Sequence, residues 1–256
     1  MKRVGEIMRS IRNHLMAHAA PYAMGVIVAA ALKWHYSVAE SEDLCWVLLP
    51  TARLVEWLTS ITFEWEHHTG FLSRAHGIII APSCAGVNFL IIAFCTLYFT
   101  TARLMPTARL RVLWPGILVG ISYILTIGVN SLRIIASIAL YQADIYGGWL
   151  TPERVHRMEG SLIYFTALLI AHQVVTRAVG VLLTSGVIKA GAGSGLVPFF
   201  WYCLIALGIP LMNSGAMRGG ARFVEHGAPV LLVCAVVLVV FMTVSLLWNA
   251  CFTQRR

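Results

Sequence analysis

Charge is scarce in this sequence: Asp, Glu, Lys and Arg make up 12% of its 256 residues, and only eleven residues are acidic. A soluble domain needs a polar shell, and a chain that is 59% apolar, with a mean hydropathy of +0.78, has too little to build one. Also missing are Cys-x-x-Cys pairs and His/Cys ligand spacing, which argues against a structural zinc site. Neither a metal nor an organic cofactor is expected. No long basic run alternates with aromatics, so the net charge of +8 does not mark a nucleic-acid partner. No internal repeat and no pair of broken apolar segments of the kind found in transporters is evident. The apolar stretches do not alternate as strands do, which disfavours an outer-membrane barrel.

What is present is a series of apolar runs, each about long enough to cross a bilayer as a helix. They lie near 15–32, 84–102, 113–140, 160–182, 196–213 and 228–252. The expected fold is an all-α polytopic bundle of about six transmembrane helices, in one domain over 1–256. Lys2, Arg3, Arg9 and Arg12 precede the first run, which reads as an uncleaved anchor. With both termini inside, Arg103, Arg109, Arg111, Arg177, Lys189, Arg255 and Arg256 join them there. Glu6 is then the one inner carboxylate, the others falling on or near the outer side with Arg74, Arg154, Arg157, Arg218 and Arg222. The expected location is the inner (cytoplasmic) membrane, with the bilayer as a partner.

The outer segment 33–83 opens on Glu40, Glu42 and Asp43. Between Leu48 and Trp65 the apolar positions Leu54, Trp57, Leu58, Ile61 and Trp65 follow helical spacing, predicting an amphipathic helix on the outer surface. From Gly70 to Pro82 the pattern is short and β-like, broken at Gly77, and predicts a small hairpin. Residues 184–195 form a Gly-rich inner linker.

Polar groups near the ends of spans are costly and invite functional readings. Of the cysteines at 45, 84, 95, 203, 234 and 251, five read as small packing side chains. Cys84 differs, because Pro82 and Ser83 introduce a long apolar helix and set the thiol in its first turn, where helix amides favour a thiolate. Asn88 lies one turn on, within reach of the sulfur, and Gly86 stands between them. Asn130 and Arg133 share a face of the third span, which Ser137 extends. An arginine there suits a developing oxyanion or a carboxylate. His156 precedes Gly160 by one turn at the start of the fourth span, and can take a thiol's proton and return it to a leaving amine. Each group also has a plainer reading: a packing cysteine, a snorkelling arginine, a solvated histidine. His67, His68 and His76 lie in the outer segment, with the first two expected to be solvated, and His172 is deep in the fourth span.

At these residues the chain resembles the exosortase/archaeosortase family of membrane cysteine transpeptidases, and its brevity resembles small members such as exosortase K. The likeness covers roughly 45–165 and rests on Cys84-Ala85-Gly86, on Asn130 three residues before Arg133, and on His156 four residues before Gly160. Ala85 replaces the common serine, and Arg157 stands where an aspartate is frequent. The resemblance implies catalytic roles for Cys84, Arg133 and His156, supported by Asn88, Asn130, Gly86 and Gly160. It implies a substrate protein carrying a C-terminal transmembrane helix and basic tail, cleaved through a thioacyl-enzyme. A cysteine-dependent membrane acyltransferase using a lipid donor would employ the same residues. A transporter or non-enzymatic scaffold would use Arg133 and His156 to bind an anion or relay protons.

Overall fold

The computed structural model describes residues 19–143, 145–184, 195–208 and 220–253, with the backbone alone for 184, 220–226 and 248–253. Arg218 and most of the Gly-rich linker therefore lie outside the described residues, and Arg222, Glu225 and His226 are described by backbone alone. In chain order the helices are α1 (Ala19–Val38), α2 (Cys45–Thr59), α3 (Val87–Thr101), α4 (Ala108–Gln142), α5 (Pro152–Thr184), α6 (Leu196–Cys203) and α7 (Gly220–Thr253). A π turn, Leu204–Gly208, continues α6. Strands β1 (Glu64–Glu66), β2 (Gly70–Ser73) and β3 (Ile78–Ile80) separate α2 from α3.

Four helical segments are long and apolar enough to cross a membrane: Pro82–Leu104, Ala108–Gln142, Pro152–Leu183 and Gly227–Leu247. Of the described residues, α1 and the shorter Leu196–Gly208 are not among them, and the runs 15–32 and 196–213 extend outside the described residues, so four of the six expected spans are matched. α3 is the hub. It packs against α1, α4, α5 and α6, and 72% of its apolar window is buried inside the protein, against 11% for α7, which lies chiefly on α5. Ile124 and Leu132 of α4, Ile170 and Val174 of α5, and Val236, Val239 and Val240 of α7 face outward. Water would penalise such a continuous apolar surface, while acyl chains accept it.

Specific polar contacts fix the packing. Tyr98 of α3 lies against Gly25 of α1, where any side chain would strike its ring, and donates its hydroxyl to the Pro21 carbonyl at 2.8 Å. Trp46 of α2 stacks on Tyr123 of α4, whose hydroxyl donates to the Trp46 carbonyl at 2.6 Å. Thr107 caps α4 by accepting from the Leu110 amide, and Trp114 donates from its indole to Thr101 at 2.8 Å, tying the start of α4 to the end of α3.

The outer segment departs from expectation in two ways. First, α2 stops at Thr59, where Ser60 turns left-handed, so Ile61 and Trp65 are not helical. Its buried face is Leu44, Val47, Leu48, Thr51, Ala52 and Val55, leaving Trp57 77% exposed. Trp57 and Leu58 of the apolar stripe stay outside this packed face, which is where an amphipathic helix on a membrane surface carries them. Second, the hairpin is one half of a three-stranded antiparallel sheet in the order β1-β2-β3. Gly77, at φ +64°, turns β2 into β3, and Trp65 of β1 packs edge-on to Phe71 of β2. Glu56 knits helix to sheet by accepting from the Phe63 amide at 2.7 Å.

Candidate active site

Each central side chain is held by a local device. After β3, extended Ala81 leads into a 3-10 turn, Pro82–Cys84, with proline at its first position and the Cys84 amide bonded to the Ala81 carbonyl at 2.8 Å. Gly86 follows at φ +74° and caps α3, a left-handed conformation that L side chains resist. Cys84 therefore sits in the turn ahead of α3, not in the helix's own first turn as expected. A Cβ at Gly86 would lie 3.1 Å from Asn130 Cγ, so the glycine also lets the turn approach α4.

Asn130, fully buried on α4, donates from Nδ2 to the Cys84 carbonyl at 2.6 Å and accepts at Oδ1 from the Tyr164 hydroxyl at 2.5 Å. One side chain thus joins the cysteine turn, α4 and α5. Tyr164 stacks on Phe89 of α3, with centroids 4.6 Å apart, and the Arg133 guanidinium lies 5.4 Å from the Tyr164 ring centre. Gly160 supplies the room: a Cβ there would stand 2.8 Å from Arg133 Nε.

His156 lies in the second turn of α5, whose start is set by Thr151 accepting from the Arg154 amide and by Pro152 at the first helical position. Its Nε2 is 2.5 Å from Arg133 Nη2, and its Nδ1 is 3.2 Å from Ser137 Oγ, which donates to Glu159 Oε2 at 2.8 Å. Guanidinium has only protons to offer, so Nε2 is the accepting nitrogen and the imidazole proton resides on Nδ1. Glu159 is 8% exposed, and its other oxygen and Arg133 Nε have no hydrogen-bond partner among the described residues.

Cys84, Arg133 and His156 line one cavity of about 340 Å³ with Ser137, walled by Ile78, Ile79, Ile134, Ile138 and Tyr141. A second cavity, about 210 Å³ and more polar, is lined by Tyr36, Ser83, Asn88, Gly160 and Tyr164. Arg133 and His156 border both, forming the partition between them. A nucleophile, a base and a permanent cation around one cavity are the components of acyl transfer.

Other residues fall elsewhere than expected. Asn88 does not serve the sulfur: its Oδ1 accepts from Lys33 Nζ at 3.0 Å, and it faces the second cavity. His76, which the sequence sets apart from the site, lines the cavity of Cys84, with Nδ1 3.2 Å from Ser73 Oγ. His172 is buried, with Nε2 3.3 Å from Thr100 Oγ1. His67 pairs with Glu42 at 3.2 Å, and ligand atoms of Glu40, Glu42 and His68 lie within 4.8 Å of one another on the exposed rim.

Tyr164 was not singled out by sequence reasoning, and Ser137, noted there as extending the Arg133 face, was not joined to Glu159. Tyr164 follows Gly160 by four residues and so shares its face of α5, a signal available in the spacing. No family model, no curated protein and no solved structure matches this chain.

Proposed function

We propose that the chain is a membrane-embedded cysteine transpeptidase or protease acting on exported proteins anchored by a C-terminal helix. The observation that carries the reading is the convergence of Cys84, Arg133 and His156, from three chain segments, on one cavity. The resemblance to exosortases and archaeosortases, carried by the same residues, adds support. In this reading α1 and the segment beginning at Leu196 also span the bilayer, making six spans with both termini inside. Arg133 follows Arg111 on α4 by 22 residues, a rise of about 33 Å, close to the hydrocarbon thickness of about 30 Å. That spacing suits a cluster at the outer headgroups, opposite the basic turn between α3 and α4.

The steps balance as general acid–base and covalent catalysis. As substrate enters, Arg133 Nη2 turns from the His156 lone pair to the scissile carbonyl oxygen; the Cys84 proton passes to the freed Nε2, and the thiolate adds to the carbonyl carbon. The Arg133 donors, Nη2 among them, meet the oxyanion. As the tetrahedral species collapses, the C–N bond breaks, His156 returns the proton to the leaving amine, and a thioester remains on Cys84. An acceptor amine, or water, then attacks the thioester and gives its proton to His156, the C–S bond breaks, and His156 passes that proton to the departing Cys84 sulfur, restoring the thiol.

The test is processing of a co-expressed precursor with a C-terminal helix and basic tail. Cys84→Ala is expected to abolish processing while the protein stays in the membrane, and unchanged processing would overturn the reading. His156→Ala is expected to match it and His76→Ala to leave most of the rate, which separates the two histidines of the cavity. Mass spectrometry of the trapped enzyme identifies the acyl group on Cys84: a peptide supports a transpeptidase, and a lipid chain points instead to the acyltransferase.

A further inference from the structure

His156 is not the end of its hydrogen-bond chain. Behind it, Ser137 of α4 is bonded to Nδ1 on one side and to Glu159 on the other. The chain has one consistent direction: Arg133 donates to Nε2, Nδ1–H donates to Ser137 Oγ, and the hydroxyl donates to the carboxylate. Reversing any link would set two donors, or two acceptors, face to face.

The location of Glu159 is otherwise hard to account for. It lies at the edge of a cavity of about 370 Å³ between α5 and α7, whose other walls are apolar, among them Val155, Leu232 and Val236. A carboxylate there is costly unless it has a task or a partner. Its surroundings are few. The Arg133 charge acts on it, His156 Nδ1 is 3.9 Å from Oε2, Ser137 is the hydroxyl in contact, and α7 contributes only aliphatic side chains to that cavity.

We infer that Glu159 and Ser137 are positioning residues, a carboxylate acting through a hydroxyl to keep His156 in the Nδ1–H tautomer, with its Nε2 lone pair held on Arg133 at the cavity that Cys84 also lines. The inference deepens the proposed function and rests on it for its catalytic consequence. The tautomer itself is a property of the resting protein. In acyl-transfer enzymes a carboxylate usually touches the imidazole directly, and the wrong tautomer is what its loss produces. Here the hydroxyl of Ser137, on a neighbouring helix, extends the reach of Glu159, which shares a helix with His156.

The test is nitrogen-15 NMR of histidine-labelled protein in nanodiscs, with the His156 resonances assigned by comparison with His156→Gln. In the unaltered protein Nδ1 should resonate as the protonated, pyrrole-type nitrogen and Nε2 as the bare one. Ser137→Ala and Glu159→Leu should convert this to a mixture with a large Nε2–H population, and Ser137→Thr, which keeps the hydroxyl, should restore it. Leucine at 159 suits the apolar wall, so folding is retained.

In the processing assay the first two variants should lose about 10- to 100-fold in kcat with KM within about twofold, and Ser137→Thr should recover most of it. Tautomer signals unchanged in both Ser137→Ala and Glu159→Leu overturn the inference whatever the enzyme does. If the tautomer shifts as expected but the unaltered protein processes nothing, the positioning role stands and the transpeptidase reading fails.

Discussion

Gly160 offers the sharpest separation between architecture and chemistry. A Cβ at this position would stand 2.8 Å from Arg133 Nε, whereas ordinary contact begins at 3.4 Å, so in Gly160→Ala the side chain must retreat by the 0.6 Å difference. The retreat carries the guanidinium away from α5, and hence from His156, stretching the 2.5 Å contact to its Nε2. Catalytic groups tolerate about 0.5 Å of displacement, and a misplacement of about 1 Å can cost about 100-fold. The expected loss in kcat is therefore about tenfold, or about 1.4 kcal/mol. Stability should hardly change. Alanine gains about 1 kcal/mol over glycine inside a helix, offsetting an off-rotamer arginine of about the same cost. Precursor processing and alkylation of Cys84 by iodoacetamide, followed on the Cys84 peptide by mass spectrometry, should both slow, while melting in detergent stays within a few degrees. Full processing and alkylation rates in a normally folded Gly160→Ala protein would refute the claim that Arg133 must lie against α5.

Three further outcomes follow from the same geometry. Gly86→Ala must hold alanine at φ +74° and crowd Asn130, so melting should fall by the equivalent of about 1–2 kcal/mol, measurable by thermal denaturation. Asn130→Ala strands the Cys84 carbonyl and the Tyr164 hydroxyl, costing about 1–3 kcal/mol and loosening the cysteine turn, which hydrogen exchange at residues 82–86 should report. At Glu56, burial raises the carboxyl pKa, but the Phe63 amide and Arg53 outweigh it and hold the group below its usual value. Its stabilising contribution is thus complete above the unfolded value of about 4.3 and is lost as pH falls through the folded one. Glu56→Gln should flatten the decline in melting temperature below about pH 5, and an unchanged acid limb would refute that role.

The sequence discloses those features that each arise within one segment. Lipid leaves a helix little alternative to a long unbroken apolar run, so the runs behind α3, α4, α5 and α7 are plain to read. Gly86 and Gly160 were visible as motif positions. Their physical reasons, a left-handed cap and an arginine lying on bare backbone, appear only when α3, α4 and α5 are assembled.

Periodicity carries the α2 helix too far: Ile61 fits its apolar stripe but lies beyond the left-handed Ser60 that ends the helix. It also misassigns Trp65, whose apolar bulk fits a helical stripe but which lies in β1, flanked by Glu64 and Glu66. Partners across helices leave no local trace. Asn88 is four residues from Cys84 in sequence, yet Asn130, 46 residues away, makes the bond to the cysteine carbonyl. Ser137 and Glu159 meet only because α4 and α5 run side by side.

The wrapping of α3 has a consequence for how the surrounding bilayer can act on the protein. In a bilayer, changes in acyl-chain length or lateral pressure would be met by α4, α5 and α7, whose outer faces are apolar and which can tilt to absorb a mismatch of a few ångströms. α3 is insulated by its neighbours, and the turn that begins it is pinned to α4 by the Asn130 bond. Strain that reaches the cysteine turn through the Asn130 bond arrives by way of α4, which also bears the guanidinium, so along that route those two groups are displaced together instead of apart.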